Sequence, residues 1–539
     1  MDTACFYTDE EKQLDRQLQT CRSILARCKA SWEKSDPLNQ KQKKHISNLN
    51  IIAKETKDEL KETIANNVDT IRSVRTESLC DKNVVAVFES NLTRCLHMSD
   101  TQLNDALVIV KVYYFGVAEC IIKNGFYLNG EKYVFFSASA GQIRTKKFVA
   151  VKESLLKNCW NTLTCGLSVD KINSMGGVNI NKYLAYLALC NSATDLWEDF
   201  DIDRCIVVDD FETNVTDTVD FIDEKTYSIE RKTMPVPITH TDGCGMILPS
   251  LSKKNFMCRA PWVKGLLSPF PFDKFIREEN RKDTSVNHGI VTDIYGKQYD
   301  ILADNIGIIF TKSQFKMWKY YKNWDEYKEN FKKYACTAGK CNIEEDFVPN
   351  AKFNYQMLQT LVDLSDDELE SICQTTNDDL KRISSDRRTM LKVFGATKEN
   401  GSKNSFQECL YMYPELLQDV YTRETLRDIK KKMEKEARAG RLDIDGKYLF
   451  LIPDLYAFCE HLFLGIENPN GLLKNGEVYC TAYSDKKKLD CLRSPHLYAE
   501  HAVRKNVWER DGEYKRWFVS NGVYTSCHDL ISKILQFDE

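Results

Sequence analysis

The 539-residue sequence lacks an excess of charge of either sign, a long uncharged apolar run and a regular cysteine framework. Lys+Arg 75 against Asp+Glu 79 leaves a formal net charge of −4. A protein that coats nucleic acid over its whole surface is basic overall. The balance therefore excludes wholesale coating, while still permitting basic residues gathered along one channel. The most apolar stretch, Ala106 to Ile122, carries Lys111 and Glu119. A membrane span needs about 20 largely uncharged apolar residues, so a buried element is expected there. The start, MDTACFYTDEEKQLDRQ, is charged and has no apolar signal core.

The 20 cysteines are scattered, often beside apolar residues, as at Cys120, Cys205 and Cys459. That usage reads as a reduced, cytosolic chain. Cys336 and Cys341 in CTAGKC could be half of a zinc site, but no second pair stands at zinc-finger spacing. Familiar catalytic signatures are missing too: there is no GxxxxGK followed by Ser or Thr, no HExxH and no GxSxG. Gly176-Gly177 is too isolated to cradle a phosphate, and His496 and His501, five apart, share no helix face.

What is there is a folded composition, 42% hydrophobic and 29% charged, long enough for several domains. Glu10 to Trp32 and His45 to Val74 carry apolar residues at helical spacing. FYLNGEKYVFFSAS and KKFVAV alternate around an Asn-Gly turn, a hairpin signal. From RCIVVDDFE through NIGIIFTKSQF, short strands joined by Gly, Pro and Asp turns suggest a barrel. Helical texture dominates from Lys316 to about residue 440, and a second β-rich stretch begins at DIDGKYLFLIPDLYAF. The expected blocks are 1–100 helical, 101–224 mixed, 225–320 barrel-like, 321–440 helical and 441–539 barrel-like.

Four segments stand out chemically. THTDGCGMILPSL, with Asp242, Gly243 and Gly245, is a tight turn that structure alone would explain. In MCRAPWVKGLLSPFPFDKF, Arg259 and Lys264 lie in an apolar, Pro-bounded stretch. A lysine there needs a partner. A phosphate suits it, and so does snorkelling to the surface. In CLRSPHLYAEHAVRKN, Arg493, Arg504 and Lys505 surround Pro495, either as phosphate contacts or as a turn before an ordinary basic segment. Finally, CHDLISKILQFDE carries an apolar run up to Asp538 and Glu539, which reads as an interrupted element.

Taken in order, these segments resemble one family. FFSASAGQIRTKK, NKYLAYLALCNSATDLW, DGCGMI, CRAPWVKG and LRSPHLYAEHAVR, spanning about residues 130 to 539, resemble the cell-encoded RNA-dependent RNA polymerases of RNA silencing. They resemble still more closely the YonO-like single-subunit RNA polymerases of bacterial phages. The resemblance implies a multidomain α+β protein. It would have a helical N-terminal region and two double-psi β-barrels separated by a helical insertion, the second barrel incomplete. It implies a nucleotidyltransferase acting with Mg2+ in a bacterial host cytoplasm, with a DNA template, ribonucleoside triphosphates and an RNA product. Lys264 would reach substrate or product phosphates, with Lys312 in FTKSQFKMW as a second basic contact. Gln142, Arg144, Arg259, Arg493 and Arg504 would bind nucleotide or nucleic acid. Asp538 would match the first aspartate of an Asp-x-Asp-Gly-Asp magnesium loop whose remainder is absent from the sequence. This chain alone is then expected to be inactive, a fragment or one half of a split enzyme whose second chain completes the barrel. An RNA-templated enzyme and a non-catalytic nucleic-acid-binding descendant are the alternatives.

Overall fold

The computed structural model describes residues 1, 3–32, 39–74, 88–98, 104–346, 348–354, 357, 361–401, 403–484, 488–493, 501–509 and 512–536. They form an α+β protein of two compact units. The first comprises Met1–Ile202, Cys258–Lys264 and Lys316–Cys341; the second comprises Asp203–Met257, Gly265–Phe315 and Asn342–Glu539.

The first unit opens with two long helices, Asp9–Trp32 and Gln40–Asn66. Asn39 starts the second by a capping box with Gln42, which satisfies two amides that helix geometry leaves unpaired. That helix ends at Asn66, and the apolar periodicity beyond it belongs instead to a strand, Arg72–Val74, paired parallel with Phe126–Leu128. The Asn-Gly turn does make a hairpin: Phe126–Leu128 pairs antiparallel with Glu131–Ser137. Asn129 (φ 54°) and Gly130 (φ 81°) both occupy the left-handed region that a two-residue turn of this hand requires. Strands Lys147–Lys152 and Leu107–Lys111 complete a five-stranded sheet. Helix Phe115–Asn124 buries Val117, Ala118 and Ile121 in the same core as Phe126, Tyr133 and Ala150. The apolar stretch 106–122 is thus a strand and a buried helix. No helix among the described residues is long and apolar enough to cross a membrane.

The second unit contains two strand sets with one topology. In chain order, the first set is Cys205–Val208, Cys244–Ile247, Val263–Pro269 and Ile308–Thr311. Its spatial order is third, second, fourth, first. The fourth strand runs parallel to the first and antiparallel to the second, and the second runs parallel to the third. The later set is Leu451–Pro453, Glu477–Cys480, Ala502–Asn506 and Val523–Thr525. It repeats the order third, second, fourth, first, with the same parallel and antiparallel pairings. A long hairpin, Glu212–Ile222 with Ile229–Thr239, stands between the first two strands of the earlier set. One core serves both sets. Helix Phe272–Lys282 contributes Phe272, Phe275 and Ile276, and helix Leu455–Leu464 contributes Leu455, Phe458 and Phe463. Between the sets lie helices Asp366–Arg382, Arg387–Phe394, Ser405–Met412 and Val420–Arg438. They have a small core of their own, with Phe394, Ala396, Leu410 and Leu417.

A buried ion pair fixes the start of the first unit. Arg72 Nη1 donates to Glu11 Oε2 at 2.5 Å and Nη2 to Oε1 at 3.0 Å, both side chains fully buried. Burial opposes ionisation of Glu11, but hydrogen bonds from Arg72 and from the Thr8 amide outweigh it and hold the carboxyl below its ordinary value. Removing one partner strands the other charge in the core. Glu11→Ala is therefore expected to cost about 3–5 kcal/mol, read by denaturant unfolding. Because the folded-state value is depressed, the pair's contribution is complete at neutral pH. It is lost as pH falls through the folded value, below the ordinary 4.5. A wild-type stability curve that is flat across that window in comparison with Glu11→Gln would contradict this assignment.

Candidate functional site

In the second unit, the first strand set is tied around one buried side chain. Gln314 Nε2 donates to Leu266 O at 2.9 Å and to Gly243 O at 3.4 Å, and its Oε1 accepts from Thr311 N at 3.0 Å. Two glycines make room for it. A Cβ on Gly265 would lie 2.4 Å from Gln314 Nε2 and 2.5 Å from Gly243 O. A Cβ on Gly245 would lie 2.4 Å from Ile309 O. DGCG and the glycine of VKG are thus one packing device within the strand Val263–Pro269 and the turn beside it. Asp210 sits beside it. Its Oδ2 accepts from Ser313 N at 2.8 Å and its Oδ1 from Ser313 Oγ at 2.6 Å. Burial pushes the Asp210 carboxyl up, against hydrogen bonds from Ser313, Thr241 and Thr311. Lys312 pairs with Asp209 at 2.7 Å, with both side chains substantially exposed.

In the first unit, Arg259 and Lys264 flank the turn Pro261-Trp262, and both are half-buried. Arg259 Nη1 donates to Cys258 O at 2.9 Å. Trp262 anchors the turn in a left-handed conformation, φ 63°, which a bulky residue adopts only where its surroundings enforce it. They do: Trp262 Nε1 donates to Thr164 O at 2.7 Å, its carbonyl accepts from Lys316 N at 2.8 Å, and Tyr327 Oη donates to Pro261 O at 2.7 Å. Gln142 is occupied locally, closing the capping box of helix Ala140–Arg144 with Ser139. Arg144 is exposed on that helix.

Arg493 and Arg504 hold the segment that leads to Asp538. Arg504 Nε donates to Asp529 Oδ2 at 2.5 Å and Nη2 to Oδ1 at 2.7 Å. Its Nη1 donates to Val503 O at 3.1 Å, so three of its nitrogens are engaged inside the protein. Asp529 also accepts from Gly476 N at 3.0 Å and from Ile531 N at 2.9 Å, at the start of helix Ile531–Gln536. Arg493 Nη1 donates to Leu535 O at 3.1 Å near that helix's end. Asp538 and Glu539 lie outside the described residues, as does most of the SPHLYAEH stretch. Among the described residues no group of three or more His, Cys, Asp or Glu could hold a metal ion.

Residue chemistry had singled out the cations. It passed over Gln314, two positions after Lys312, as well as Trp262 and Asp529. Their signal was faint: a polar residue in the short turn after an apolar strand, and an aspartate just before an apolar run.

The model for RNA dependent RNA polymerase matches residues 83–498, and the chain belongs to that family. Over all 539 residues it is 50% identical to the DNA-directed RNA polymerase YonO of Bacillus phage SPbeta. The match takes in 62% of that protein's length, so the chain spans less than two thirds of this relative.

If Arg504 braces helix Ile531–Gln536 and does not contact phosphate, Arg504→Ala leaves Asp529 buried and unpaired. The expected cost is about 3–5 kcal/mol of stability, with no change in the salt dependence of nucleic-acid binding. A salt slope reduced by roughly 0.7–0.9 would instead assign Arg504 to a phosphate.

Proposed function

We propose that this chain carries the greater part of a single-subunit RNA polymerase that transfers nucleotides on a DNA template. The observation that carries the reading is the 50% identity, over all 539 residues, to a protein named as a DNA-directed RNA polymerase. In this reading each four-stranded set is a double-psi barrel, in support of which both sets share one strand order and one pattern of pairing. The blocks 225–320 and 441–539 then hold the barrels, with Cys205–Val208 joining the earlier one, and 321–440 contains the helical insertion. The relative carries this chain's whole span and more in one polypeptide, which favours a single chain over a split enzyme.

The chemistry is attack of a 3′-hydroxyl on an α-phosphate, with pyrophosphate leaving. Lys264, a compact cation, neutralises charge that develops on the phosphates. Its placement depends on the Pro261-Trp262 turn behind it and on Gly265 after it. Arg259 and Lys312 add positive charge for phosphates, and Gln142 and Arg144, on one short helix, are assigned to nucleic acid. Arg493 and Arg504 act one step back, bracing the helix that delivers Asp538. Magnesium bound at Asp538 and further carboxylates would lower the pKa of the attacking hydroxyl and stabilise the leaving group. Hard oxygen donors such as these suit that ion. The working compartment is the bacterial host cytoplasm.

Copying of RNA is the second reading, favoured by the name of the matching family, RNA dependent RNA polymerase. The deciding experiment joins this chain to the portions of the phage SPbeta polymerase beyond the match. It then follows labelled ribonucleotide incorporation on single-stranded DNA and RNA with magnesium. DNA-templated synthesis is expected, falling roughly 10²–10³-fold in Lys264→Ala. Extension on RNA alone would move the assignment to the second reading. Retained nucleic-acid binding without synthesis on either template would make this a non-catalytic binding protein.

A further inference from the structure

The helix Val420–Arg438 has seven basic and four acidic residues, a local net charge of +3 in a chain whose total is −4. Its basic residues are not scattered. Arg423, Arg427, Lys431, Lys435 and Arg438 follow one another at spacings of four, four, four and three, and all five are exposed. Such spacing keeps them on one winding face, which spans about 22 Å with a cation roughly every 6 Å. Lys431 pairs weakly with Asp428 at 3.7 Å across solvent, and Glu424 and Asp428 border the stripe. Arg427, Lys435 and Arg438 make no ion pair among the described residues.

Two apolar features adjoin the cations. Before and at the head of the helix, Tyr413 is 59% exposed and Tyr421 66% exposed, and their chain neighbours Met412 and Val420 are 69% and 70% exposed. Tyr421 also meets Phe406 edge to face, ring centroids 5.9 Å apart, and keeps most of its surface in solvent. Alongside the helix, a cavity of about 380 Å³ is lined by Met390, Leu417 and Leu426 together with Arg423, Arg427 and Lys430. A solvated charged face would account for the cations. It does not account for two unburied tyrosines and an apolar hollow beside them.

We propose that this face binds single-stranded nucleic acid. A stacked strand carries a phosphate about every 3.4 Å, so the five cations meet roughly every second one. Tyr413 and Tyr421 offer ring faces on which bases stack, an interaction that duplex DNA, with its bases already stacked inside, cannot use. Selection is therefore for unpaired strand over duplex, without base-sequence readout. The surface shares no residue with the proposed lysine site, and its test contains no nucleotide triphosphates, so its outcome is independent of whether Lys264 serves catalysis.

The test uses the 539-residue chain and fluorescence anisotropy with labelled 20-mers: oligo-dT, oligo-rU, an abasic strand and duplex DNA, between 50 and 200 mM salt. Two variants alter exposed positions only, Arg427→Gln/Lys431→Gln/Lys435→Gln and Tyr413→Ala/Tyr421→Ala, with circular dichroism confirming the fold. Losing three phosphate contacts should flatten the salt slope for single strands by about 2. Over a fourfold rise in salt, the wild-type chain should then lose roughly 20-fold more affinity than the triple variant. The tyrosine variant should weaken oligo-dT and oligo-rU at least tenfold, at 1–3 kcal/mol per stacked base, and leave the abasic strand unchanged. Preference for one sugar identifies template or product as the natural strand. An unchanged slope in the triple variant, equal binding of the abasic strand and oligo-dT by the wild-type chain, or tighter binding of duplex would each overturn the proposal.

Discussion

Backbone segments approach so closely around Gln314 that Gly265 and Gly245 cannot carry a side chain. A Cβ on Gly265 would press on Gly243 O at 2.5 Å, and one on Gly245 would press on Ile309 O at 2.4 Å. The close approach lets a single amide bond the turn, the third strand and the fourth strand together. Everything in the earlier strand set follows from it. The parallel register of Cys244–Ile247 with Leu266–Pro269 is set there. A wholly buried amide with its hydrogen bonds satisfied is a strong constraint, because any shift of register would strand polar atoms out of reach of water.

The later strand set reaches the same topology by other means. Its buried amide is Asn506, which bonds Cys480 N and O across two neighbouring strands and Tyr483 O beyond them. Asp454, buried after the first strand, accepts hydrogen bonds from the amides of Tyr456, Ala457, Leu472 and Leu473. Burial alone pushes its carboxyl up, and those four amides oppose that. Asp529, after the fourth strand, is held by the fork of Arg504. Charge and backbone amides do here what close glycine contact does in the first set. That difference in side-chain chemistry explains why two segments with one strand order show no visible sequence repeat.

Local structure was readable wherever a local rule dictates it. The Asn-Gly hairpin, the two long helices and the apolar strand-and-helix at 106–122 depend on neighbours within a few residues, and patterning carries that information. The end of the second helix was read too far, at Val74, because Val68, Ile71 and Val74 fit helical spacing as well as strand alternation. Pairing with Phe126–Leu128, some fifty residues away, decided the matter. The candidate site was legible by residue type but not by role. Arg504 and Arg493 look like phosphate ligands in the sequence. In the fold they bond Asp529 and Leu535, partners 25 and 42 residues distant. Gln142 likewise closes its own helix cap.

By itself, the sequence determined the succession of helical and β-rich blocks, the turn glycines and the family, because each is written in spacing and in residue types in order. The tertiary structure alone decided which cations face inward and which face solvent, that Gln314 ties the earlier strand set while Trp262 anchors the turn between Arg259 and Lys264, and that the two strand sets share one topology. The physical reason is range. Helix and turn rules act over four residues, whereas burial, ion pairing and strand order depend on segments the chain brings together from far apart.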